Sequence, residues 1–105
     1  MSIPDPMLEA LLKATVDSGA SDLHLTVGRP ATARRDGVLV SFENVPVLTT
    51  EDVDRMVYSL LDDRKLAELK EDRQVDFSFG LPNVGRFRAN AFRQRGNLAL
   101  ALRVV

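Results

Sequence analysis

Five arginines, Arg86, Arg88, Arg93, Arg95 and Arg103, fall within the last stretch of the chain, Arg86 to Val105, and no acid accompanies them. The last acidic residue of the sequence is Asp76. Every cation in this stretch is Arg and none is Lys, which suits planar, bidentate recognition of phosphate or carboxylate. The stretch reads as a β-hairpin turning at Gln94-Arg95-Gly96-Asn97. Phe87, Ala89 and Ala91 alternate with Arg86, Arg88 and Asn90; Leu98, Leu100 and Leu102 alternate with Ala99, Ala101 and Arg103. Strand side chains alternate between faces, so the loop length decides which sets share a face. A four-residue loop pairs Arg93 with Leu98 and sets Arg88 opposite Arg103. That register gathers Phe87, Ala89, Ala91, Leu100 and Leu102 on one dry face. The other face then carries Arg86, Arg88, Asn90 and Arg103 over small alanines. Two arginines directly opposite each other repel, so an anion or an acidic partner surface is expected nearby. A solvated sheet face that is merely basic has the same pattern.

Other chemistry is less well supported. The single histidine, His24, lies two residues from Asp22. On a strand such side chains point in parallel, with Cα atoms about 7 Å apart, and do not bond directly. No Cys exists and no Ser completes a triad, so nucleophilic catalysis has no machinery. Asp62-Asp63 and Glu71-Asp72 are acid pairs that helix capping and solvation explain better than a metal does. No metal site is expected. GxxxxGK[ST] and GxGxxG are both absent, so any nucleotide contact must come from the arginines, on a phosphate held by another domain. Phe92 alone shares the arginine face, a weak basis for stacking on RNA bases.

Composition narrows the class. The 105 residues suffice for one domain with one core. The net charge of −1 argues against bulk attraction to nucleic acid. Charge is segregated instead: Glu43 to Asp76 holds ten acids against five bases, and only bases follow Ala89. A domain polarised in this way suits packing on copies of itself or on a larger body. Without cysteine there is no disulfide framework or thiolate metal site. No apolar run approaches the ~20 residues of a membrane span, and the start MSIPDPMLEALL lacks a basic n-region. A cytoplasmic protein without membrane insertion is expected.

Several elements must position the hairpin. Asp5-Pro6 predicts a helix start, continued by Met7, Leu8, Leu11, Leu12 and Val16 and stopped by Gly19. Ser21 to Val27 alternates as a strand with Leu23, Leu25 and Val27 inward. Ala31 to Arg35 and Val38 to Phe42 flank Asp36-Gly37, a strong hairpin signal. Thr49 to Asp52 resembles a capping box for a helix burying Val53, Met56, Val57, Leu60 and Leu61. Asp62-Asp63 can cap a third helix bearing Leu66 and Leu69. Gln74 to Phe79 is a strand with Val75, Phe77 and Phe79 inward. The order αβββααβββ predicts an α+β domain with a largely antiparallel six-stranded sheet and helices mostly on one face.

Against this frame, specific motifs match a known domain. Gly19-Ala20-Ser21-Asp22-Leu23-His24-Leu25, Arg34 with Asp36-Gly37, Asp76-Phe77-Ser78-Phe79, Gly85 to Phe92 and Arg103 occur in the order and spacing of one family. The chain resembles the N-terminal domain of the PilT-type pilus-retraction (twitching motility) ATPases, within the type II/type IV secretion motor superfamily. The resemblance runs nearly end to end.

It implies a PAS-like domain over residues 1–105, with the catalytic P-loop domain lying outside this chain. It implies a homohexamer in which the N-terminal domain of one subunit packs on the ATPase domain of the next. Arg88 and Arg103 match the arginines that reach the terminal phosphates of ATP, and Arg86 matches a neighbouring nucleotide-binding arginine. Asp22, His24 and Arg34 fall at the subunit interface. ATP and Mg²⁺ are the implied cofactors of the full-length protein, with none held tightly by this domain. The implied partners are the protein's own ATPase domain, neighbouring subunits and pilus machinery at the inner face of the cell membrane. Alone, the chain is expected to be inactive as an ATPase and monomeric or weakly oligomeric. A stand-alone PAS-like ligand-binding or protein-interaction module is the alternative.

Overall fold

Six strands form one antiparallel sheet in the order β3-β2-β1-β6-β5-β4, with three helices packed on it. The structure, a computed structural model, describes residues 4–42 and 44–105. The elements follow the predicted order: α1 (Pro6–Asp17), β1 (Asp22–Thr26), β2 (Thr32–Arg35), β3 (Val38–Ser41), α2 (Thr50–Tyr58), α3 (Asp63–Asp72), β4 (Gln74–Leu81), β5 (Gly85–Gln94) and β6 (Asn97–Val104).

Each helix begins where its side chains satisfy free backbone N–H groups. The Asp5 carboxylate accepts from the N–H groups of Met7 and Leu8 at 3.0 and 3.3 Å. Thr49 and Asp52 complete a reciprocal capping box, and Asp62 accepts from Lys65 N at 2.8 Å. Asp5 has a second role: the Arg55 Nε donates to it at 2.7 Å, tying the start of α1 to α2.

The core lies between the helices and one face of the sheet. Leu8, Leu11 and Leu12 of α1, Val53, Met56 and Val57 of α2, and Leu69 of α3 join Leu23, Leu25, Phe87, Ala89, Ala91, Leu100 and Leu102 in one buried cluster. These sheet residues are the alternating inward sets of β1, β5 and β6, so one periodicity organises both hairpin and core. Phe79 stacks on Phe87 with ring centroids 5.4 Å apart.

Departures from the expected layout are local. Leu60 and Leu61 lie past the end of α2 and are half-buried rather than buried on its face. Val27 lies in the turn past β1 and is half-buried rather than inward on a strand. The hairpin turn is tighter than four residues, because Gln94 and Asn97 also pair and only Arg95-Gly96 remain in the loop. The register is unchanged, since both loop lengths are even. Arg95 and Gly96 take φ of 53° and 80°, as do Asp36 and Gly37 at 52° and 80°. Both turns thus place their two central residues at positive φ, the handedness that matches strand twist. At the edge, Val38, Leu39 and Val40 are all exposed, because β3 has a neighbour on one side only and lies beyond the helices.

Candidate functional site

The sheet face turned away from the helices carries Arg86, Arg88 and Arg103. Arg88 and Arg103 are cross-strand partners, Ala89 pairs with Leu102 and Ala91 with Leu100. Arg88 and Arg103 are exposed while Phe87, Ala89, Leu100 and Leu102 are buried. The strand alternation therefore separates Arg88 and Arg103 from the leucines, as the even register requires, while Arg93 pairs with Leu98 at the hairpin end.

The sheet order adds what the hairpin alone could not show. β6 has β1 as its other neighbour, and Arg103 faces Asp22 across that ladder. Asp22 in turn faces Arg34 on β2, and Arg88 faces Ser78 on β4. One row across five strands therefore reads Arg34, Asp22, Arg103, Arg88, Ser78. The next reads Thr32, His24, Ala101, Asn90, Asp76. All three residues expected at an interface, Asp22, His24 and Arg34, share this face with Arg88 and Arg103.

Side chains within the rows are paired unequally. Arg103 Nε donates to Asp22 Oδ1 at 3.3 Å, and the Ser21 hydroxyl donates to Asp22 Oδ2 at 2.6 Å. Burial pushes the Asp22 carboxyl upward, but the Ser21 hydroxyl and the Arg103 guanidinium outweigh it and hold the group below its usual range. Asn90 Nδ2 donates to Asp76 Oδ1 at 2.7 Å. Arg34 Nη1 turns back to donate to Gly37 O at 3.1 Å. Arg88 has no carboxylate partner among the described residues. His24 is half-buried, and no bond joins it to Asp22 among the described residues. Arg86 behaves differently again. Its guanidinium lies over Gly80, so close that a Cβ there would sit 3.0 Å from Arg86 Nη1.

Between these side chains runs an open trough of about 460 Å³, lined by Asp22, His24, Asp76, Arg88, Asn90 and Arg103 among others. The small Ala101 leaves its floor low. Such a trough can receive the end of an anionic group against two guanidiniums, but it does not enclose a small molecule. Ser21 and the Asp22–Arg103 contact were not legible in the sequence as parts of a site. The usable signal was that Asp22 is outward on its strand, as Arg103 is on its own. Among the described residues, no group of three or more His, Cys, Asp or Glu is placed to hold a metal ion. No helix among them is long and apolar enough to cross a membrane.

Comparison with known proteins shows which proteins the chain is homologous to. Over 95 residues the chain is 37% identical to the type IV pilus retraction ATPase PilT of Pseudomonas aeruginosa, covering 90% of the chain and 27% of that protein. A crystal structure of the pilus retraction motor PilT with bound ADP superposes with a TM-score of 0.84 and 46% identity, covering 90% of this chain and 28% of that one. The chain is homologous to the N-terminal region of the PilT-type ATPases. Its α+β fold, with a six-stranded antiparallel sheet and three helices, is that of the PilT N-terminal domain. The fold is also shared with the Legionella pneumophila ATPase DotB, at 21% identity and a TM-score of 0.80 over the whole chain and 30% of DotB. No family model matches the sequence. The chain spans about a quarter of the length of the PilT-type relatives it matches.

Proposed function

We propose that this chain is the PAS-like N-terminal domain of a hexameric motor ATPase that drives type IV pilus retraction. In this reading residues 1–105 pack on the ATPase domain of a neighbouring subunit and close the nucleotide cleft from outside. Arg88 and Arg103 contact the terminal phosphates of ATP, with Arg86 beside them. Asp22, His24 and Arg34 lie at the contact between subunits. The protein works in the cytoplasm, against the pilus machinery at the inner face of the cell membrane.

One observation carries the reading: two arginines directly opposed on an exposed sheet face, one of them with no carboxylate partner among the described residues. An opposed pair of like charges lowers the stability of a hairpin by a fraction of a kcal/mol to ~1 kcal/mol. A pair that costs stability in the free domain has a physical reason to exist when an anion joins it. Phosphoryl transfer supplies such an anion, since negative charge spreads over the transferred group as its bond to the leaving oxygen breaks. Arginines already in place stabilise that charge without reorganising at the moment of reaction. The sequence holds no P-loop, so the phosphates and Mg²⁺ would be held by residues outside this chain.

The test is hydrolysis by the full-length ATPase carrying this domain, with Arg88→Ala and Arg103→Ala compared with the parent. Loss of turnover with retained nucleotide binding supports the reading, and unchanged turnover in both variants contradicts it.

A further inference from the structure

Arg103 is held more firmly than its partner Arg88, and the group that holds it is itself anchored. Asp22 keeps only 15% of its side chain exposed, against 74% for Arg103. Its Oδ2 accepts the Ser21 hydroxyl at 2.6 Å, and its Oδ1 accepts Arg103 Nε at 3.3 Å. Ser21 has little freedom, because its backbone N–H donates to Arg34 O and its carbonyl accepts from Val104 N, both at 2.9 Å. Arg34, the other cross-strand neighbour of Asp22, does not compete for the carboxylate, since its own Nη1 donates to Gly37 O at 3.1 Å.

A guanidinium carries five N–H donors in one plane. With Nε–H engaged by Asp22, the four hydrogens on the two Nη atoms remain available, and the anchored Nε restricts where that plane can turn. Arg103 lines the trough with Arg88, so these free donors border the space where an anionic group would rest. A long side chain fixed in advance loses less conformational freedom when it meets its ligand.

We infer that Asp22, oriented by Ser21, is a positioning residue for Arg103, setting its two Nη groups toward the terminal phosphate. The inference rests on the phosphate reading above and gives Asp22 a role within its own chain, in place of a subunit contact alone. It also predicts a sign. A carboxylate that merely neutralised Arg103 would weaken the arginine, and its removal would raise activity.

Two measurements decide it. In this 105-residue chain, exchange of the Arg103 Nε–H with water is followed by NMR. It is expected to be slower than that of Arg88 and to quicken several-fold in Asp22→Asn, whose neutral amide oxygen is the weaker acceptor. In the full-length ATPase carrying the domain, Asp22→Asn and Ser21→Ala each lower kcat about three- to tenfold, with KM for ATP kept within about twofold. Ser21→Thr, which keeps the hydroxyl, retains most of the rate. Asp22→Asn combined with Arg103→Ala is no slower than Arg103→Ala alone, because the two act as one unit. Parent-like kcat in Asp22→Asn, or a higher one, overturns the inference if Arg103→Ala is slow. Equal Nε–H exchange in parent and Asp22→Asn overturns it as well. A parent-like rate in Arg103→Ala overturns the phosphate reading itself, and the inference with it.

Discussion

Arg88 and Arg103 face each other across the β5–β6 ladder, and among the described residues only Arg103 has a carboxylate beside it. The pair is therefore asymmetric: one guanidinium is braced from the neighbouring strand, and the other has no ionic partner among the described residues. In the proposed role, Arg88 would follow the anion while Arg103 would meet it from a fixed position.

The asymmetry predicts how the two positions tolerate substitution. Arg88→Lys in the full-length ATPase is expected to recover little activity, because an ammonium keeps the charge and loses the bidentate fork. Arg103→Lys is expected to fail at least as badly, since it also loses the Nε–H that Asp22 accepts. Turnover of the two variants at saturating ATP checks this.

A separate prediction concerns stability. Asp5 is nearly buried, caps α1 and accepts Arg55 Nε at 2.7 Å from α2. Arg55→Ala leaves that carboxylate with its N-cap bonds and no cation. Stability is expected to fall, by less than breaking a fully buried pair would cost, because Arg55 is half-exposed. In a domain of this size thermal unfolding should shift by roughly 4–8 °C per kcal/mol. Urea titration of parent and variant measures the difference directly.

The hairpin turn makes a local prediction. Arg95 holds φ of 53° before Gly96 at 80°, a pairing for which Asn-Gly is preferred. Arg95→Asn should leave stability unchanged or raise it by up to about 0.5 kcal/mol. Gly96→Ala should lower it by about 1 kcal/mol, because alanine is strained at that φ. Opposite signs from adjacent positions, read by the same titration, identify the turn geometry as the cause.

Acid should unfold the domain in a predictable window. Backbone N–H groups of Thr49 and Lys65 hold the Asp52 and Asp62 carboxyls below the ordinary value of 3.8. Asp22 is shifted the same way: burial raises it, and the Ser21 hydroxyl with Arg103 more than offsets this. Folded values lower than unfolded ones mean that the unfolded chain binds more protons in acid. The stabilisation from these groups is complete above the unfolded value and disappears as pH falls through the folded ones. Stability measured between pH 6 and pH 2 should drop below about pH 4. Asp52→Asn should make that drop shallower.

Much of this was legible in the sequence, for reasons that differ by feature. The helix starts at Asp5, Thr49 and Asp62 are local, a capping side chain and the N–H groups just after it, so they could be read residue by residue. The Arg88–Arg103 register could be read because only an even loop keeps Arg88 and Arg103 away from the leucines. The strand order could not. β1 and β6 are separated by most of the chain, and their alternation is compatible with several neighbours. Asp22 and Arg103 are 81 residues apart and Asp5 and Arg55 are 50 apart, so both ion pairs follow from packing rather than from spacing. Asp22 was expected at a subunit contact by resemblance, and its bond to Arg103 within one chain emerged only when β1 was found beside β6.

The most direct test of the central claim is single-turnover ATP hydrolysis set against nucleotide affinity in the full-length ATPase carrying this domain. Arg88→Ala and Arg103→Ala should each slow hydrolysis at least about tenfold, since each removes positive charge from the developing negative charge on the γ-phosphate. Affinity should fall much less, and His24→Ala should disturb subunit packing while leaving the chemical step largely intact. Hydrolysis at the parent rate in both arginine variants would contradict the account and leave the arginine face a solvated surface.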